Sequence, residues 1–116
     1  MCRLPVSAPW PTPTSTSGFW SVTRTSDELS IVCPQEATPV GAAVMVEPDW
    51  RVLEVEGPLD FSMVGVMARI TASLADAGIS VFVTSTYDTD YVLVRSAAVE
   101  RAIEALRSAG HEVDAG

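Results

Sequence analysis

The stretch Val83-Thr-Ser-Thr-Tyr-Asp88 repeats the pattern of Val22-Thr-Arg-Thr-Ser-Asp27, which lies 61 residues earlier in the chain. Each copy leads into a short apolar segment, Leu29 to Cys33 in the first case and Tyr91 to Val94 in the second. A pattern that recurs at a fixed spacing indicates two related structural units. Each copy is typical of a strand, a polar turn and a returning strand, so the sequence predicts two hairpins of the same kind.

The second half of the chain predicts a complete series of elements. A helix is expected to begin at Ser62, which can cap it, and to end at Gly78. The apolar stripe of this helix is Met63, Met67, Ile70 and Leu74, and that of a second helix is Val99, Ala102, Ile103 and Leu106. The predicted elements are strands 50–56, 79–85 and 90–95, helices 62–78 and 96–110, and a last short strand at 111–113. This is the order of the ferredoxin-like α+β fold (βαββαβ), an antiparallel sheet with two helices on one face.

The first half predicts similar strands without the helices. Strands are expected at 19–24, 29–33 and 42–47. The first helix of the series would fall in a segment that carries Pro5, Pro9, Pro11 and Pro13, and proline blocks a helix interior. The sequence therefore predicts two modules in tandem: a degenerate one with a thin core at residues 1–47 and a complete one at residues 48–116.

The charge pattern excludes several classes of function. The formal net charge is −8, and the chain has no lysine, so all seven basic residues are arginines. Because an acidic surface repels a phosphate backbone, we expect no nucleic-acid partner. Without lysine there is neither Schiff-base chemistry nor a P-loop, and the glycines between Gly57 and Gly65 lack dinucleotide-binding spacing.

The sequence shows neither a membrane-spanning nor a secretory pattern. No apolar run approaches the roughly 20 residues that cross a bilayer, and Met1 to Pro5 is not the start of a secretory signal. We therefore expect a cytoplasmic protein with no membrane partner. In that compartment Cys2 and Cys33 are expected to be reduced thiols rather than a disulfide.

Catalytic chemistry has little support in the sequence. His111 is the only histidine, it follows a glycine that ends a helix, and no nucleophile elbow accompanies it. Asp88 and Asp90 can clasp a hard cation, but a calcium loop needs several more oxygen ligands, and aspartate is common in turns. We expect no enzyme, no metal and no cofactor.

Ligand binding is better supported. Gly65 falls in the first turn of the predicted helix, where unpaired backbone N–H groups and the helix dipole favour an anion such as an α-carboxylate. Asp88 and Asp90 lie in a turn at the edge of the predicted sheet and can meet an ammonium group. A ligand that has a carboxylate at one end and an ammonium group at the other, such as an amino acid, would fit these groups. The alternative stays open that Ser62 is only a cap and that the aspartates only form the turn.

Three segments also carry a family resemblance: Gly18-Phe-Trp-Ser-Val-Thr-Arg-Thr-Ser-Asp-Glu-Leu-Ser-Ile-Val-Cys33, Leu53-Glu-Val-Glu-Gly-Pro-Leu-Asp-Phe61 and Ile79-Ser-Val-Phe-Val-Thr-Ser-Thr-Tyr-Asp-Thr-Asp-Tyr-Val-Leu-Val94. The chain resembles the ACT-domain family, in particular tandem ACT-like proteins related to aspartokinase regulatory domains and to the cytosolic arginine sensor of animals. The run from Ser85 to Asp90 is the most specific part. The resemblance extends over nearly all of residues 18–113.

The resemblance implies a regulatory, non-catalytic protein that binds an amino acid at an interface between ACT modules and reports its presence to a partner protein. The implied ligand-binding residues are Gly65, Val66, Ser80, Val81, Thr86, Tyr87 and Asp90. Relatives of this type usually begin with a full strand before the segment that resembles Cys2 to Pro5, so the resemblance also implies a shortened start.

We further expect a homodimer that forms through sheet edges and helices, because an unpaired sheet edge otherwise invites non-specific pairing. The first hairpin's turn is expected to be one residue shorter than the second and to lack a counterpart of Asp90, which places the ligand site in the second half. The alternative function is a structural or protein-interaction module that has lost ligand binding, as the degenerate first half suggests.

Overall fold

Both repeated stretches form β-hairpins in the computed structural model, which describes residues 1–12, 18–55 and 65–114. The strands are β1 (Cys2–Leu4), β2 (Ser21–Arg24), β3 (Leu29–Val32), β4 (Met45–Val46), β5 (Trp50–Glu54), β6 (Val81–Ser85) and β7 (Asp90–Arg95), and the helices are α1 (Val66–Asp76) and α2 (Val99–Ser108). The chain divides into two units, Met1–Asp49 and Trp50–Gly116. The α+β class is confirmed, and the described strand pairs are antiparallel.

The second unit is built on a sheet of order β5-β7-β6, in which β7 is the central strand. Successive side chains of a strand point to opposite faces. Val92 and Val94 of β7 point to the face that carries the helices, where they are almost fully buried. The core cluster on this face consists of Leu74, Ile79, Val92, Val94, Ala102 and Leu106. This arrangement matches the predicted ferredoxin-like layering, with helices packed on one face of the sheet.

The opposite face of the same sheet carries an aromatic pair. Trp50 and Phe82 belong to the strands on either side of β7, and their rings meet edge to face with centroids 4.6 Å apart. The rings therefore reach across β7, where Leu93 pairs with Phe82 and is 1% exposed. The Arg95 guanidinium lies 4.4 Å from the centroid of the Trp50 ring, a cation–π contact.

The helices differ in detail from their sequence patterns. The predicted cap Ser62 and the stripe residue Met63 lie outside the described residues, and α1 ends close to the predicted Gly78, whose φ is 74°. The predicted start of the second helix forms a 3-10 turn, Ser96–Ala98, before α2. Val99, Ala102 and Leu106 join the core as expected. Ile103 is half-buried and, among the residues that the structure describes, is not one of those packed against the core cluster.

The first unit has four strands in the order β2-β3-β1-β4. Counted within the unit, this is the second-third-first-fourth order of the ferredoxin-like fold. In the described residues of this unit, the 3-10 turn Gln35–Ala37 is the helical element. Three buried residues form the core cluster, Cys2, Leu29 and Ile31. The unit is therefore a ferredoxin-like sheet with a thin core and without packed α-helices in its described part.

Three local predictions are wrong. Residues 111–113 form no strand, because two hydrogen bonds connect this segment to α2. The His111 N–H donates to the Leu106 carbonyl at 3.0 Å, and the Arg107 guanidinium donates to the Val113 carbonyl at 2.7 Å. Of the strand predicted at 42–47, only β4 forms. The chain turns between Gly41 and Val44, where the Val44 N–H donates to the Gly41 carbonyl.

The third correction concerns the turns of the two hairpins, which are equal in length. The pairs that close them are Arg24 with Leu29 and Ser85 with Asp90, so each turn has four residues. Leu29 therefore holds in the first hairpin the position that Asp90 holds in the second. The predicted difference in turn length does not exist, and the asymmetry lies in the residue types.

Candidate functional site

One end of the second unit's sheet is held together by the turn between β6 and β7. The Thr86 N–H donates to the Thr89 carbonyl at 2.8 Å, and the Thr89 N–H donates to Thr86 Oγ1 at 3.3 Å. Thr89 is 5% exposed, and its hydroxyl donates to the carbonyl of Val55. The Val55 N–H in turn donates to the Asp90 carbonyl at 2.9 Å. The turn is thus fixed to the residue that follows β5, and we call this the turn end of the sheet.

The start of α1 faces the same end. Met67 and Ile70 pack against the core cluster, and the Ile79 N–H donates to the Leu74 carbonyl at 3.0 Å, just before β6 begins. Because α1 lies on the sheet and its last turn is fixed near the start of β6, its first turn points towards the end where β6 finishes. Gly65, the residue before α1, is therefore directed to the turn end.

Gly65 gives this helix start an unusual geometry. Its φ is 87° and its ψ is −1°, a left-handed conformation that glycine adopts without steric cost. Its carbonyl accepts the Arg69 N–H at 3.0 Å, and a Cβ on Gly65 would lie 3.5 Å from Nη1 of Arg69. The guanidinium therefore folds back beside the helix start. The positive end of the helix dipole and the positive charge of Arg69 therefore lie together at the start of α1, and both favour the binding of an anion.

Asp90 brings negative charge to the turn end. Its side chain is half-buried. Because successive side chains of β7 point to opposite faces, Asp90 points to the same face as Val92, which is the face that carries the helices. Tyr87 is 93% exposed at the tip of the turn, and Thr86 and Asp88 are exposed beside it. The start of α1 thus carries a cationic group, and the turn end of the sheet carries an anionic one.

The predicted site residues fall into two groups. Thr86, Tyr87 and Asp90 lie at the turn end, and Gly65 and Val66 lie at the start of α1, which is directed towards the same end of the sheet. Val81 is the first residue of β6 and Ser80 precedes it, so both lie at least about 13 Å from the last residue of β6 at the usual rise of roughly 3.3 Å per residue. Ser80 is exposed, and Val81 packs against the core cluster. One copy of the chain does not bring the two groups together.

Arg69 and Thr89 are further candidate site residues that the sequence pattern did not reveal. The signal for Arg69 was its spacing, because a residue four positions after Gly65 lies on the same helical face. Thr89 stands between two aspartates, where a threonine is typical of a turn. Its burial depends on the approach of β5, a contact between residues that are far apart in the sequence.

Groups that serve metal binding or nucleophilic attack are poorly placed. The described part of the chain has no cluster of three or more His, Cys, Asp or Glu side chains that could hold a metal ion. Cys2 and Cys33 are free thiols, and burial raises the pKa of each above its ordinary value of 9.0. A thiol that stays protonated is a weak nucleophile.

The chain is similar to known proteins in both sequence and structure. A family model described as the ACT domain matches residues 45–108, and a model of an N-terminal domain matches residues 1–40. The chain is similar to a protein from Agrobacterium tumefaciens whose crystal structure was determined by a structural genomics consortium. The two share 40% identity with a TM-score of 0.85, over 96% of this chain and 81% of that one. No curated protein matches.

Among the described residues, no helix is long and apolar enough to span a membrane.

Proposed function

Since the chain belongs to the ACT-domain family, we propose that it is a non-catalytic regulatory protein that binds a small amino acid at the turn end of its second unit. The observation that carries this proposal is the position of Arg69, whose guanidinium lies beside the left-handed Gly65 at the start of α1. Family membership supports regulation by a small molecule, and the local chemistry supports the amino-acid class.

The ligand's carboxylate is assigned to the start of α1. The first backbone N–H groups of an α-helix have no partner within the helix, and the glycine leaves space for a close approach. Arg69 adds a guanidinium, which can bind a carboxylate with two parallel hydrogen bonds. A carboxylate gains from both the dipole and the guanidinium, whereas an uncharged acceptor gains less from each.

The ligand's ammonium group is assigned to Asp90. Its carboxylate is on the face of the sheet that α1 covers, and its backbone is fixed by the bond from Val55. Thr86 and Tyr87 are proposed to contact the rest of the ligand. The rigid turn helps, because groups that are already ordered lose less conformational entropy on binding.

A second copy of the chain is proposed to complete the site with Ser80 and Val81. These residues lie too far from the turn end to act in the same copy, so a homodimer would supply them in trans. The signal would then pass to a regulated protein that is still unidentified. The cytoplasmic location, the tandem arrangement and the relation to aspartokinase regulatory domains and the arginine sensor stay predictions.

A structural or protein-interaction module is the second candidate function. The observation in its favour is the core of the first unit, where Cys2, Leu29 and Ile31 form the buried cluster. A thin core gives little stability of its own. Such a unit suits a protein that is completed by a partner rather than one that responds to a metabolite.

A thermal-shift screen of the standard amino acids tests the proposal. A ligand at a hundred times its dissociation constant stabilises the folded state by about 2.7 kcal/mol, which raises the melting temperature by several degrees. Arg69→Ala and Asp90→Asn should each abolish most of that shift. Arg101→Ala, which removes an exposed arginine of α2, is the matched control and should leave it unchanged.

Two outcomes would contradict the proposed site. One is an amino acid that stabilises Arg69→Ala and Asp90→Asn as strongly as the wild-type chain. The other is no response to any amino acid from a chain that circular dichroism shows to be folded, which favours the second candidate.

A further inference from the structure

A methionine and an arginine meet at the edge of the first unit's sheet, in a contact that the proposed function does not use. Met45 lies on β4, which is an edge strand of the order β2-β3-β1-β4, and it pairs directly with Arg3 of β1. Residues directly opposite each other in an antiparallel pair share a face of the sheet. Because Arg3 alternates with the buried Cys2, this face is the one opposite to the core of the unit.

The two side chains are joined by a hydrogen bond to sulfur. Arg3 Nη2 donates to Met45 Sδ at 2.9 Å. A thioether sulfur is a weak acceptor, whereas a guanidinium binds most strongly to oxygen atoms that carry negative charge. The Arg3 guanidinium is therefore positioned beside an atom that binds it weakly, and an oxygen bonded to that sulfur would bind it more strongly.

Met45 is also accessible to an oxidant. Its side chain is 61% exposed, whereas Met1 and Met67, the other methionines in the described part of the chain, are half-buried. Met67 packs against the core cluster of the second unit, where a new polar oxygen would be unfavourable. Because a sulfur atom must be reached in order to react, the difference in exposure favours oxidation at Met45.

We propose that Met45 is a site of reversible oxidation to methionine sulfoxide and that Arg3 binds the oxygen added there. The oxidant is a peroxide. With hydrogen peroxide, a lone pair of Sδ attacks one oxygen, so that an S–O bond forms and the O–O bond breaks. The leaving hydroxide takes up the proton of the transferred oxygen and becomes water. Sulfur is oxidised by two electrons, the peroxide is reduced by the same two, and sulfoxide reductases reverse the change.

The sulfoxide strengthens the contact between β1 and β4. Its oxygen carries partial negative charge, so a weak N–H···S bond is replaced by a charge-assisted N–H···O bond. Methionine oxidation commonly destabilises proteins, because it makes a buried apolar side chain polar. At the exposed Met45 no buried contact is lost, and the new bond to Arg3 determines the direction of the effect.

Peptide mapping by mass spectrometry after treatment with hydrogen peroxide tests the site. At about pH 6 the two cysteines are protonated and react slowly. Met45 should be oxidised about tenfold or more faster than Met67. Methionine sulfoxide reductases should restore the original mass, which they cannot do for oxidised cysteine. Equal oxidation rates at Met45 and Met67, or a product that the reductases leave unchanged, would overturn the assignment of the site.

Amide exchange measured by NMR tests the role of Arg3. The Glu47 N–H donates to the Met1 carbonyl at 2.8 Å, next to the pair of Arg3 and Met45, so its exchange reports the opening of β4 from β1. Oxidation of the wild-type chain should slow the exchange of this amide by about twofold or more. The same treatment of Arg3→Ala should not slow it, because no guanidinium then meets the sulfoxide oxygen.

Two matched variants complete the experiment. Arg101→Ala removes an exposed arginine of α2 and should keep the slower exchange after oxidation. Met45→Leu keeps an apolar side chain of similar size and should show no change after peroxide treatment. The inference is overturned if oxidation of the wild-type chain leaves the exchange of the Glu47 amide unchanged or faster. It is also overturned if Arg3→Ala or Met45→Leu shows the same slowing as the wild-type chain.

Discussion

Thr25 and Thr86 occupy the same position in two hairpins and accept the same hydrogen bond. The backbone N–H three residues later donates to the threonine hydroxyl in each case, from Glu28 at 3.2 Å and from Thr89 at 3.3 Å. The N–H of each threonine also donates to the carbonyl of that later residue. The repeat in the sequence is therefore a repeat of turn chemistry. The turns differ at their last residue, because Thr89 is buried and bonded to Val55, whereas the equivalent Glu28 is acidic.

Replacing Thr86 by valine should loosen the second turn. The substitution keeps the shape of the side chain but removes the hydroxyl that bonds to the N–H and carbonyl of Thr89. We expect a loss of about 1 kcal/mol in the free energy of unfolding, measured by urea denaturation. Thr23→Val, at an exposed position of β2, is the control and should change the free energy by less than about 0.5 kcal/mol. Equal effects of the two changes would show that the hydroxyl of Thr86 is unimportant.

Replacing Thr89 by valine should cost more than replacing Thr86. The change removes the donor to the Val55 carbonyl at a buried position, and an unsatisfied buried polar group costs about 1–3 kcal/mol. Thr89→Ser keeps the hydroxyl and should recover most of the loss. Urea denaturation of the three chains gives the comparison. A serine variant as unstable as the valine variant would assign the effect to the lost methyl group instead.

Replacing Gly65 by alanine should reduce both stability and ligand binding. A left-handed conformation costs a residue with a Cβ about 1–2 kcal/mol, and the new methyl group would lie beside Arg69. Gly78→Ala is the matched control, because Gly78 also has a positive φ, of 74°, and its Cβ would meet no atom within 4 Å. Both variants should melt at lower temperature, but only Gly65→Ala should weaken amino-acid binding in calorimetry. Equal binding by both variants would remove Gly65 from the site.

The thiols of Cys2, which is buried, and Cys33, which is half-buried, should make stability depend on pH in the alkaline range. Burial raises the pKa of Cys2 and of Cys33 in the folded chain above the ordinary value of 9.0. The unfolded chain therefore loses these protons first, and the stability present below about pH 9 decreases as the pH rises towards the folded pKa values. Denaturation of the wild-type chain and of Cys2→Ala/Cys33→Ala between about pH 8 and pH 10 measures this. The variant should show the smaller decrease, and identical slopes would contradict the expectation.

Local patterns were sufficient to predict the two helices and the hairpin of the second unit. The apolar positions Met67, Ile70 and Leu74 indicate α1, and the hairpin from Val81 to Arg95 is indicated by alternation around a Thr/Asp turn. These features depend on neighbouring residues, and hydrophobic periodicity reports them directly. Contacts between distant residues were not predictable in this way. The hydrogen bond from Thr89 to Val55 is one example, because it depends on the strand order. The location of Ser80 and Asp90 at opposite ends of the sheet is another.

Short segments at the ends of elements were the least predictable. The alternation of His111 to Val113 suits a strand, but the Arg107 guanidinium and the last turn of α2 bind this segment instead. Arg69 was overlooked although its spacing from Gly65 is visible in the sequence, because an exposed arginine on a helix usually faces solvent. Only its position beside Gly65 indicates a role in binding an anion.

The outer edge of β5 has a consequence for the handling of this protein. Among the described strands, β1 has a neighbour on each side, whereas β5 pairs only with β7. An open strand edge is a template on which further chains can assemble, and charged side chains are the usual safeguard against it. Arg51 and Glu54 are exposed on β5 and supply those charges beside the 39% exposed Val52. We therefore expect that replacing both with threonine promotes aggregation, while the buried core stays unchanged.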